Sequence, residues 1–188
     1  AFTKVNFPEV DHLASPDNYG FAEGNNKELP HITTEYFLLL NSDVEVTPDW
    51  LEPLVHQMDE NAKIAACQPK IRAFNEKNSF EYAGASGGFI DKWGYPFCRG
   101  RLFDKLEKDQ GQYEEAIPIL WATGACLMVR TAVTKDIGLF DGYFFAHMEE
   151  IDFCWRAINH GYEIYVVPQS IVYHVGGGTL PQGNPRKT

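Results

Sequence analysis

Apolar residues fall along this chain in short runs separated by polar turns, and the spacing within each run indicates its element. Phe37-Leu38-Leu39-Leu40 is unbroken and brief, which predicts a buried strand over residues 35–40. Trp50, Leu51, Leu54, Val55 and Met58 recur at helical spacing. Thr47-Pro48-Asp49 before them reads as N-cap, first helical position and acidic first turn. Ile64-Ala65-Ala66-Cys67 predicts a second buried strand, ended by Pro69. Between residues 70 and 118 the pattern breaks into pieces at 80–82, 89–90 and 95–97, punctuated by glycines, and predicts short hairpin-like strands. Residues 104–115 are charged and read as mobile surface, and residues 10–13 as a short strand. Later come an apolar stretch at 119–129 broken by Thr123-Gly124, a short helix at 132–137 and a helix at 149–160. The last has an apolar stripe of Ile151, Cys154, Trp155 and Ile158, and Gly161 just past its end. Strands at 163–167 and 171–173 close the pattern and run into His174 and three glycines. Early alternation of strand and helix predicts an α/β sheet, mostly parallel, with a more irregular second half.

The chain has 188 residues, of which 44% are hydrophobic, which suits one domain with a real core and not two. It is acidic, with 26 acids against 16 bases and a formal charge of −10, so a nucleic-acid partner is excluded as the default. No apolar run approaches a membrane span, and no signal peptide is visible. Cys67, Cys98, Cys126 and Cys154 form no C-x-x-C pair, so zinc is not expected, and the apolar settings of Cys67, Cys126 and Cys154 read as free thiols of a reducing compartment.

Against that background the polar interruptions become informative. The strand at 35–40 ends in Asn41-Ser42-Asp43-Val44-Glu45, placing Asp43 and Glu45 where open α/β sheets bind ligands. Carboxylates there suit Mg²⁺ or Mn²⁺ carrying phosphates, although a polar strand-to-helix turn would read the same way. Glu149-Glu150-Ile151-Asp152 opens a helix, where acids favour the macrodipole and Asp152 can pair with Arg156. Three carboxylates in four residues exceed what capping needs, and a crowded carboxylate can serve as a general base. His174 ends an apolar strand and is a candidate ligand beside them. Asn18, Gly20 and Asn26 surround a helix start suited to a base or phosphate, and Thr123-Gly124 is a small-residue break suited to a pocket wall.

Taken in order, these segments resemble family 2 inverting glycosyltransferases of GT-A fold. The segment from Asn18 to Asn26 is similar to that family's N-x-G-F-A-x-G-x-N run. Leu38 to Val46 resembles its strand with the D-x-D motif, with Glu45 in the second acidic place. Met148 to Arg156 resembles its E-D-x-D-L-C-x-R block, with Glu150 where Asp is common. Val172-Tyr173-His174-Val175-Gly176-Gly177 resembles its closing Y-H-x-G-G. The likeness is strongest to bacterial rhamnosyltransferase-like members that build surface polysaccharides.

The resemblance implies a Rossmann-like sheet with helices on both faces and one GT-A domain over residues 1–188. It also implies first strands lying upstream of Ala1 and a segment past Thr188, so the chain reads as an internal piece of a longer enzyme, poorly active by itself. The implied reaction moves a sugar from a UDP- or dTDP-sugar to a saccharide or lipid-linked saccharide hydroxyl, with inversion, in the cytoplasm, with peripheral association with the inner face of the cell membrane through segments outside this chain as a further option. Glu150 would be the base, with Asp152 and Arg156 beside it. Asn18, Gly20, Asn26, Asp43, Thr123, Gly124 and Glu149 would bind substrates, and Asp43, Glu45 and His174 would hold Mg²⁺ or Mn²⁺. A sugar nucleotidyltransferase and a non-catalytic carbohydrate-binding domain are the rival readings. The first would carry a Gly-rich, Lys/Arg-containing signature near its N-terminus, in the part that the resemblance places upstream of Ala1, and the second has no use for two acidic clusters.

Overall fold

A computed structural model describes residues 2–176. In chain order it contains α1 (Phe2–Asn6), α2 (Gly20–Glu28), β1 (Tyr36–Leu40), β2 (Val44–Val46), α3 (Leu51–Glu60), β3 (Ile64–Ala73), β4 (Gly88–Ile90) and β5 (Pro96–Cys98). There follow β6 (Arg101–Leu102), β7 (Lys105–Leu106), β8 (Ile117–Ile119), β9 (Cys126–Arg130), α4 (Thr131–Ile137), α5 (Glu149–Asn159) and β10 (Glu163–His174). Gly177 and Gly178 lie outside the described residues.

The main sheet has the order β1-β9-β3-β10-β2, with β8 also on β10. Only β3 and β10 pair in parallel, and every other neighbouring pair in it is antiparallel. The sheet is therefore mixed, not mostly parallel. Alternation of strand and helix had a partial physical basis: β1, β3 and β10 do point the same way. What alternation cannot reveal is β9, which returns from the long excursion at 74–125 and inserts antiparallel between β1 and β3.

Along β9 the side chains alternate between two cores, as the two-residue period of a strand requires. Leu127 and Val129 join the core containing Ala22 of α2, Val133 of α4 and Phe153 and Ala157 of α5. Met128 points the other way, to Leu54 and Met58 of α3. Helices thus cover both faces, and the central strands read as near-continuous apolar runs for that reason.

Four local expectations need correction. Pro69 does not end β3, which runs on to Ala73. A proline cannot donate to a ladder, and Pro69 sits opposite Val167, where the β3–β10 register slips before resuming at Ile171. The same slip joins the two expected strands at 163–167 and 171–173 into one. Helix α3 begins at Leu51, after Asp49 at φ +56, and the Thr47 hydroxyl donates to Ile171 O instead of capping. Residues 10–13 form no strand.

The charged segment near 104–115 is fastened to the core. Lys70 of β3 is fully buried and pairs with Asp109 and Glu114, while Arg72 donates to Asp109 from Nε at 2.8 Å. Burial alone would raise the Asp109 carboxyl. The Gly111 N–H, Arg72 and Lys70 outweigh it and hold the pKa below the usual value. All four cysteines are free and buried. Among the described residues no helix is long and apolar enough to cross a membrane.

Candidate active site

β1, β3 and β10 run in one direction, so their C-terminal ends meet at one edge of the sheet, where open α/β folds collect ligands. A cavity of about 570 Å³ lies there. Asn41 follows β1, Ala73 ends β3 and His174 ends β10, and all three line it. Antiparallel β9 starts at the same end, so Thr123 and Gly124 just before it form another wall. The Thr123 N–H donates to the buried Gln68 Oε1 at 2.9 Å, which fixes that wall to β3. Glu149 and Glu150 enter from the start of α5.

His174 stands between two carboxylates. Its Nε2 is 3.3 Å from Asp43 Oδ1, and its Nδ1 is 3.6 Å from Glu81 Oε1. The second distance is long for a hydrogen bond, and Nδ1 is buried without a partner. Burial alone would lower the imidazole pKa. The charges of Glu81 and Asp43 outweigh that and raise it. Glu81 was not foreseen. Its carboxylate accepts from its own loop at Ala83 N, 2.6 Å, and nothing in the pattern around it separates it from an ordinary strand-end acid.

At the opposite wall, Glu149 is buried and Glu150 half-buried, yet each has an Oε2 shielded from solvent with no hydrogen-bond partner. Burial, then the neighbouring charge of Glu149, pushes the Glu150 carboxyl up to about 7. Burial also raises Glu149. The chain reaches them through His147 at φ +72 and Met148 at φ +74, two successive left-handed residues without glycine. Such positions cost of order 1–3 kcal/mol each and persist where surrounding contacts impose them. Here they turn the chain so that α5 starts at the cavity.

The other expected site residues divide clearly. Glu45 lies in β2 opposite Tyr173, so it projects to the sheet face that His174, opposite Val44, does not share. It pairs there with Lys77 and does not line the cavity. Asp43 sits in the turn and reaches His174 without itself lining the cavity, which Asn41 does. Asp152 accepts from Arg156 Nε at 2.8 Å, and Arg156 donates further to Ile137 O and Leu139 O, both at 2.6 Å. These two residues fasten α5 to the end of α4 and do not line the cavity.

Asn18, Gly20 and Asn26 also stand behind the wall, not in it. Asn18 Oδ1 accepts from Gly20 N, and Asn26 exchanges two hydrogen bonds with the backbone of Phe140. Gly20 is at φ +71, and a Cβ there would fall 2.3 Å from Phe145 O. Their role is to clamp the 140–146 segment that leads to Glu149.

No Lys or Arg lines the cavity among the described residues, whereas Glu81, Glu149 and Glu150 do, with Asp43 adjacent. A diphosphate would be repelled there without a cation. Among the described residues no three His, Cys, Asp or Glu side chains are placed to hold an ion by themselves. Asp43 and His174 offer two donors, which fits Mg²⁺ or Mn²⁺ that takes its remaining ligands from phosphate and water.

The family model described as "Glycosyl transferase family 2" matches residues 1–138. The low-salt glycan biosynthesis hexosyltransferase Agl10 of Haloferax volcanii is 26% identical over 79% of this chain and 46% of its own length. The N-acetylglucosaminyl-diphospho-decaprenol L-rhamnosyltransferase of Mycobacterium tuberculosis is 23% identical over 89% of this chain and 59% of its own. The chain thus spans about half the length of these curated relatives. Among solved structures, GalNAc-T7 with UDP, GalNAc and Mn²⁺ superposes with a TM-score of 0.67 at 16% identity, covering 86% of this chain and 31% of that one. The similarity is one of fold, with a mixed α/β sheet.

Proposed function

The chain belongs to glycosyl transferase family 2, and from that premise we propose that its cavity transfers a sugar from a nucleoside-diphosphate donor to an acceptor hydroxyl, with inversion, in the assembly of a cell-surface glycan. The observation that carries this reading is one cavity with two chemically distinct walls. One wall carries His174, with Asp43 3.3 Å behind it at the strand ends, and the other carries a carboxylate, Glu150, with a buried free oxygen. A volume of about 570 Å³ lies within the range of small-molecule sites and has room for a sugar diphosphate.

Asp43 and His174 would hold a divalent cation, with the Glu81 carboxylate 3.6 Å from the other ring nitrogen adding negative charge beside them. A cation bound there supplies positive charge against the diphosphate as the sugar departs. Asn41, Thr123 and Gly124 line the space between the walls and position the donor. Glu150 takes the proton from the acceptor hydroxyl, which attacks the anomeric carbon from the side away from the diphosphate. One base suffices for such a single displacement. A carboxyl raised to about 7 is well matched to this task, because it ionises close to neutral pH and still accepts a proton readily. Glu149 keeps that pKa high through its charge. Asp152 and Arg156 hold the helix, and Glu45 with Lys77 belongs to the opposite face of the sheet.

Glu150→Gln in the full-length enzyme tests the assignment. It keeps the shape and removes the basicity. kcat should fall about a hundredfold or more with donor KM little changed. Near-normal kcat for Glu150→Gln, together with loss of activity in Glu149→Gln, would transfer the role to Glu149.

A further inference from the structure

Two consecutive hairpins, the second rooted in the cavity wall, bury almost nothing at their tips. The first, β4–β5, turns at Asp91-Lys92-Trp93-Gly94-Tyr95, where Trp93 is 75% and Tyr95 72% exposed. The second, β6–β7, turns at Phe103, which is 84% exposed, beside an exposed Leu102. Only Arg99 and Gly100 separate them. The second springs from the cavity itself: Leu106 lines the cavity and pairs across the hairpin with Arg101. Arg101 in turn lies 3.9 Å from the ring centre of Tyr82, another lining residue.

These tips are held, not slack. Asp91 Oδ1 accepts from the N–H groups of Trp93 and Tyr95, at 2.8 and 3.0 Å, and braces the turn. Phe103 adopts φ +52, a region where a bulky residue is strained and where Gly or Asn would be at ease. A fold that keeps a phenylalanine strained and in water gains nothing from it internally. The charge here also runs against the rest of the molecule. Residues 91–105 carry four bases, Lys92, Arg99, Arg101 and Lys105, against two acids, in a chain whose net charge is −10. Aromatic residues flanked by bases are the composition of the membrane–water interface, where ring and cation meet acyl boundary and anionic headgroup.

We propose that the β4–β5 and β6–β7 tips dock this face on an anionic lipid bilayer, seating Trp93, Tyr95, Leu102 and Phe103 at the headgroup boundary with Lys92, Arg101 and Lys105 over the anionic lipids. The docking brings the cavity mouth to the lipid surface, because Leu106 and Tyr82 join the hairpin to the cavity wall. It does not depend on the identity of the transferred sugar or on Glu150.

Co-sedimentation of the 188-residue chain with phosphatidylglycerol–phosphatidylcholine vesicles, against pure phosphatidylcholine, tests it. Binding to the anionic vesicles should weaken as salt rises, and tryptophan emission should shift to the blue. Trp93→Ser with Phe103→Ser should lose most of the binding with an unchanged far-ultraviolet spectrum. Lys92→Glu with Lys105→Glu should weaken it about fivefold or more per residue while leaving the hairpin side chains in place. Trp155→Ser, an exposed tryptophan on α5, should bind as the parent does. Absence of vesicle binding, or equal binding by both tip variants, overturns the proposal. A soluble oligosaccharide that shifts the Trp93 emission while vesicles do not would overturn it as well, and would make the tips a sugar platform.

Discussion

At Glu150 two demands oppose each other. Burial and the charge of Glu149 lift its carboxyl from 4.5 to about 7. The native state therefore keeps this proton at pH values where the unfolded chain has released it. Stability must fall as pH climbs from the unfolded pKa through the folded one, since the native state binds more protons in that window. In the proposed reading the same titration creates the base, so kcat should rise through about pH 7 and level off. Glu150→Gln removes both effects. At about pH 8 the variant should be more stable than the parent by on the order of 1–2 kcal/mol, a difference that fades toward about pH 5. Urea unfolding at the two pH values measures it. A variant less stable than the parent at the higher pH would mean that the carboxylate is well accommodated and not poised as a base.

At the level of elements, the ion network under residues 104–115 can be assigned an energy. Lys70 is buried on β3 and has Asp109, itself hidden, and Glu114 as its counter-ions. Asp109→Ala leaves that ammonium with a half-exposed glutamate alone and should cost about 3–5 kcal/mol. A thermal melt that shows a cost under about 1 kcal/mol would mean that Glu114 or water replaces it fully. Replacing Lys70 and Asp109 together by Met and Leu should cost much less, because no unpaired charge remains.

The same segment shows where sequence reading stops. Periodicity located α3, α4 and α5 to within a residue or a few, and β1 within one, because each buries one face against a sheet. Charge density at 104–115 suggested mobile surface, since nothing in one sequence pairs Lys70 with residues some forty positions away. Pro69 looked like a strand end because the matching slip in β10 is a tertiary fact. The site was legible in part for the same reason. Asp43, His174, Thr123, Gly124, Glu149 and Glu150 lie at strand and helix ends that pattern can find. Glu81 lies in an irregular stretch and has no such marker. Glu45 was grouped with Asp43 by spacing alone, and the alternation of strand faces places it on the other side of the sheet.

For the whole molecule, strand direction decides where chemistry can happen. β1, β3 and β10 end together, β9 begins beside them, and α5 starts across the gap, so residues 41, 43, 81, 123, 124, 150 and 174 gather from most of the chain's length. That gathering concentrates acids in an acidic molecule, which disfavours a bare diphosphate, and in the proposed reading Asp43 and His174 would hold the cation that enters with it. Crystals soaked in Mn²⁺ and UDP give the most direct test through the anomalous signal of manganese. The expected result is a Mn²⁺ peak within about 2.5 Å of both the Asp43 carboxylate and His174 Nε2, with diphosphate oxygens completing its shell and the acceptor side open toward Glu150. A peak at Glu45 on the opposite face, or UDP bound outside this cavity, would contradict the account.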